Sequence, residues 1–96
     1  MIDNARLDEI VSFELGSRRS AELLLACVAQ KRLAWIRVEE DAYVVGVLLN
    51  PEELDLAMLL RTVQDWLGGH GLAHVLFEVD GRTYVLWASR QVVVAG

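Results

Sequence analysis

This chain of 96 residues has a single cysteine, a single proline and only 9 basic residues against 14 acidic ones. Each shortage excludes something. One cysteine, Cys27 within "LLLACVA", closes no intrachain disulfide and points to a reducing compartment, where it reads as an inert thiol among apolar neighbours. A net charge of -5 with scattered basic residues removes the clustered Lys and Arg from which nucleic-acid binding draws its affinity. No uncharged run approaches the roughly 20 residues that span a bilayer. The start, "MIDNARLDE", carries charges where a signal peptide needs an apolar stretch, so a cytoplasmic protein with neither a membrane nor a nucleic-acid partner is expected.

Catalytic patterns are missing as well. His70 and His74 are four apart, a metal-binding spacing only on a helix, and glycines separate them; no cofactor or metal site is expected. The acids at 39–41 and 51–53 read as turn and helix-start residues rather than a general acid and base. Ser12, Ser17, Ser20 and Ser89 sit in no nucleophile-elbow pattern. Gly68 and Gly69 come after an apolar periodic stretch, whereas phosphate-binding glycines precede a helix. They read as a helix stop after Leu67. An enzyme is not expected.

What the chain does have is apolar surface. Hydrophobic residues make up 54% of it, which argues for one folded domain over residues 1–96. Residues 1–16 read as a short amphipathic helix, with Asp3 or Asn4 as cap, Leu7, Ile10 and Val11 on its apolar side and Gly16 as its stop. "SRRSAELLLACVAQKR" reads as a first long helix capped by Ser17 or Ser20, with Lys31 and Arg32 suited to its negative end. Leu33–Glu39 and Tyr43–Leu49 read as a hairpin. "NPEELDLAMLLRTVQDWL" reads as a second long helix, with Asn50 as cap and Pro51 in its first turn. "HVLFEVDGRTYVLWA" turns at Asp80-Gly81, where a type I′ turn needs positive φ twice. "RQVVVAG" reads as a last strand. The two hairpin segments share Leu-Ala, alternate aliphatics and Tyr-Val, more readily by chance between valine-rich strands than by duplication.

The expected fold class is α+β: a single domain with a five-stranded, mostly antiparallel sheet, helices on both faces and the order α-α-β-β-α-β-β-β. Runs such as "YVVGVLL" and "YVLWA", apolar at successive positions, call for cover on both sides of the sheet. In the second long helix, Leu56, Leu59, Leu60, Val63, Trp66 and Leu67 form the core face. Leu54, Ala57, Met58, Arg61 and Asp65 fall on the opposite side, where apolar area with charges four apart suits pairing with a second copy, a homodimer. Trp35, Trp66 and Trp87 are large anchors, for the core, for a partner or for a ligand.

From residue 17 onward, with "AHVLFEVDGRTYVLWASRQVVVA" at Ala73–Ala95 as the nearest likeness, the chain resembles the roadblock family of dynein-light-chain-like and bacterial GTPase-regulating proteins. It departs by ending without the closing helix of many members and by opening on an extra amphipathic segment. The resemblance implies a roadblock/profilin-like core over 17–96 and a non-catalytic scaffold that dimerises through the helix between its hairpins and docks a small Ras-like GTPase. It identifies no GTPase-contact residues here. A competing expectation is a peptide-binding dimer resembling a type III secretion chaperone, and a third is a small-molecule module lined by Trp35 and Trp87.

Overall fold

The computed structural model of the protein describes residues 10–89. Its elements run β1 (Ile10–Leu15), α1 (Arg18–Val28), β2 (Ala34–Val38), β3 (Tyr43–Leu48), α2 (Asp55–Gly69), β4 (His74–Val79) and β5 (Arg82–Trp87). The five strands form one antiparallel sheet in the order β2-β3-β1-β4-β5. The α+β class and the five-stranded antiparallel sheet agree with the sequence reading. The strand that occupies the middle of the sheet does not.

Residues 10–15, expected to be the end of an amphipathic helix, are that central strand. Val11, Phe13 and Leu15 are buried while Ser12 and Glu14 point to the other side. The alternation of "VSFEL" has the period of two that a half-covered strand requires. Three apolar residues at helix-like spacing, followed by Gly16, mimic a short helix, but burial on both flanks by β3 and β4 decides the outcome. The order among the described residues is therefore β-α-β-β-α-β-β. The strand expected over "RQVVVAG" lies outside the described residues.

Helix α1 forms as anticipated, because Ser17 stays extended and its Oγ accepts the Ser20 N–H at 3.1 Å. Ala21, Leu24 and Val28 are buried against the sheet. Helix α2 begins four residues later than Pro51, with Leu54 rather than Asn50 at its cap position. Its far end also differs: the helix continues through Gly68 and Gly69, and the reversal falls to Gly71, whose φ of 69° is cheap only for glycine. The β4–β5 turn has Asp80 at φ 56° and Gly81 at 77°, the two positive values its sequence called for.

Both described helices lie on one face of the sheet, not on opposite faces. α1 and α2 touch each other, and their buried residues join Phe13, Val45, Val47, Val75, Phe77 and Leu86 in one core. Register assigns the other face to Ile10, Ser12 and Glu14 of β1, Trp35 and Arg37 of β2, Val44, Gly46 and Leu48 of β3, and the matching positions of β4 and β5. Among the described residues nothing covers that face.

Candidate interaction surfaces

The outer side of α2 follows from helix geometry. Its buried residues are Asp55, Leu59, Val63, Trp66 and Leu67. At about 100° per residue, positions 54, 58, 61, 65 and 68 run along the opposite side. Leu54 is 67% and Met58 52% exposed, and Ala57, Arg61, Asp65, Gly68 and Gly69 are exposed with them. The five residues expected to form a partner face thus lie together on the solvent side of one helix. Asp65 also accepts the Ser89 hydroxyl at 3.1 Å, and Gln64 Nε2 donates to the Trp87 carbonyl at 3.0 Å, so the end of β5 is tied to α2. Gly68 and Gly69, taken for a stop signal, extend this face.

The second surface is the sheet face that no described residue covers. Trp35 lies across Gly46, the residue directly opposite it on β3. A Cβ on Gly46 would run into the Trp35 indole, so glycine here makes room for a ring. At the other edge, Trp87 is 61% exposed and tilted against His74 at 5.0 Å, while Val85 is 46% exposed. Trp35 and Trp87 are on β2 and β5, opposite edges of the sheet, so among the described residues they line no common pocket of the kind the small-molecule alternative calls for. Between the edges is a shallow depression of about 110 Å³ lined by Ser12, Glu14, Arg37, Val44, Leu76 and Glu78. Arg37 donates to Glu39 at 2.8 Å beside it. His74 is exposed.

Other singled-out residues take structural places. Trp66 belongs to the core and stacks on His70, whose Nδ1 lies 2.9 Å from the Trp66 carbonyl oxygen. Cys27 is half-buried on α1, and burial pushes its thiol up from the usual value. Among the described residues no three His, Cys, Asp or Glu side chains gather as metal ligands, and no helix is long and apolar enough to cross a membrane.

Sequence reasoning missed a buried ion pair. Arg32 does not cap α1; it turns inward, and its Nε and Nη2 donate to Oδ2 and Oδ1 of Asp55 at 2.9 and 2.6 Å. Asn50 N–H donates to the same carboxylate at 2.8 Å. The Arg32 hydrogen bonds hold the Asp55 carboxyl below its usual range against the opposing effect of burial, and Asp55 in turn raises Arg32. The pair joins the loop after α1 to the start of α2 and so fixes the helix that carries the outer face.

Comparison of the chain with protein-family models, with curated proteins and with solved structures finds no significant match.

Proposed function

We propose that this protein is a non-catalytic interaction module that works as a homodimer through the outer side of α2 and presents the paired helices to a folded partner. The observation that carries this reading is the row Leu54, Ala57, Met58, Arg61 and Asp65, exposed together on a helix whose other side is fully engaged in the core. Exposed leucine and methionine on one row supply the apolar centre of an interface, and the flanking charges supply its polar rim. The partner class, a small Ras-like GTPase, comes from the roadblock resemblance. The central strand β1 is contributed from before residue 17, where that resemblance begins.

A second reading, a dimer that binds an extended segment of another protein, is favoured by the sheet face that no described residue covers, with Trp35, Leu76, Val85 and Trp87 on it. One experiment separates the two: titration of the purified protein with small GTPases of the source organism, each loaded with GDP and with a non-hydrolysable GTP analogue. Saturable binding that α2 substitutions abolish supports the first reading. Absence of binding to every GTPase, with saturable binding of an unfolded segment that Trp87→Ala weakens, moves the conclusion to the second.

A further inference from the structure

The sheet face opposite the helices carries a charge pattern at its centre. Strand registers place Arg37, Val44, Glu14, Leu76 and Val85 in one row across all five strands, from β2 to β5. Glu78 stands on β4 opposite Ser12, and is therefore diagonal to Glu14 on the same face. Side chains in that relation are roughly 7–8 Å apart at their roots, near enough to share one cation and to repel each other without it. Both glutamates are exposed, and both line the shallow depression at the middle of the sheet together with Val44 and Leu76. Among the described residues neither has an ion-pair partner, and Arg37, the cation of the row, is held by Glu39 at 2.8 Å. The face thus sets apolar Val44, Leu76 and Val85 around two carboxylates.

We infer that this face docks a basic amphipathic helix of another protein, with a lysine or arginine side chain between Glu14 and Glu78 and apolar side chains against Val44, Leu76 and Val85. Charge selects the class of partner. A second copy laid face to face would bring the same carboxylates together, since Glu14 lies on the central strand, beside any two-fold axis through the middle of the sheet. Nucleic acid and anionic membrane carry the wrong sign. Backbone chemistry selects the helix. The donors and acceptors of β1, β3 and β4 are engaged by neighbouring strands on both sides, so an extended segment laid on this face would find no backbone partners. A helix satisfies its own, as α1 and α2 do on the other face. Six-residue strands such as β1 are about 20 Å long, a span that about 13 helical residues match. The inference is independent of self-association through α2, which uses a helix on the opposite face of the sheet.

Calorimetric titration with synthetic peptides of about 14 residues, all with leucines on two successive turns of one face, tests it. The first peptide has arginine between the leucines and a lactam bridge that holds it helical. The second has glutamate in place of the arginine, and the third keeps the arginine but replaces the bridge by a central proline, which bars a helix. The parent protein should bind the first about tenfold more tightly than either of the others. Glu14→Arg with Glu78→Arg should reverse the preference, losing the first peptide and gaining the second. Glu14→Gln with Glu78→Gln, a milder change at the same exposed positions, should weaken binding of the first by about tenfold without gaining the second. The Met58→Glu protein should bind the first peptide as the parent does, so failure of the α2 reading leaves this result untouched. Equal binding of the first two peptides, binding of the third as tight as the first, or no saturable binding up to about 1 mM overturns the inference.

Discussion

Arg32 and Asp55 meet as a two-pronged ion pair, Nε to Oδ2 at 2.9 Å and Nη2 to Oδ1 at 2.6 Å, with both side chains almost wholly out of water. The pair bridges 23 positions of sequence. Taking two charges out of water is repaid only when each finds its partner, so removing one costs more than the pair contributes. Arg32→Met is expected to lower stability by about 3–5 kcal/mol, measured by urea unfolding. Arg32→Met combined with Asp55→Leu should recover most of that loss, since neither charge is then stranded.

The same pair sets an acid dependence. Its folded carboxyl titrates below the unfolded value of about 3.9, so its contribution is fully present above that value. As pH falls below about 4 and through the lower folded value, the contribution is lost. Arg32 stays charged throughout this range and adds no slope there. The difference in unfolding free energy between the parent and the double variant Arg32→Met, Asp55→Leu should therefore shift against the parent on acidification from pH 5 to pH 2.5. A difference that stays flat across that range would contradict the assignment.

Trp35 and Gly46 offer a second check, on the uncovered sheet face. Gly46→Ala places a methyl where the indole lies, so the ring must leave its seat, at a cost of about 1–2 kcal/mol. Tryptophan emission should shift to the red as the ring enters water. In a Trp35→Ala background the same change should cost nothing or stabilise slightly, because alanine in a strand gives up less backbone entropy than glycine. Additive losses in the double variant would show that the two residues are not in contact.

Phe13 tests the centre of the sheet. It is fully buried, lies opposite Phe77 on β4 with ring centroids 5.9 Å apart, and pairs with Val45 on the other side. Phe13→Ala should cost about 3–5 kcal/mol. A chain begun at Ser17 should fail to give a cooperative unfolding transition, since β3 and β4 would lose the strand between them.

The parts of the fold that were readable in the sequence are those in which local chemistry and tertiary burial agree. Ser17 caps α1, and Asp80-Gly81 turns between β4 and β5, because each residue's own conformational preference suffices. The unreadable parts are those in which a distant partner decides. Six residues, "IVSFEL", satisfy a short helix pattern as well as a strand pattern, and only flanking by two strands far along the chain selects the strand. Asp55 looks like an ordinary first-turn acid and Arg32 like an ordinary helix-end base; nothing local announces that they are each other's partner. The start of α2 at Asp55 rather than near Pro51 accompanies that pairing, with Asn50 spending its N–H on the Asp55 carboxylate. On the candidate surface, Leu54, Ala57, Met58, Arg61 and Asp65 were legible from periodicity alone. Gly68 and Gly69 were not, because glycine after an apolar run signals a stop, and here the helix outlasts the signal by two residues.

Self-association through α2 is the claim on which the functional reading depends, and sedimentation equilibrium of the parent chain beside Met58→Glu measures it most directly. Met58 is 52% exposed and makes no part of the core, so the substitution leaves the fold intact, as circular dichroism would verify, and puts a charge into the seam. The account predicts a dimer for the parent at micromolar concentration and a folded monomer for Met58→Glu. A parent that sediments as a monomer at every concentration up to about 100 μM, or a Met58→Glu protein that dimerises as tightly as the parent, would contradict it.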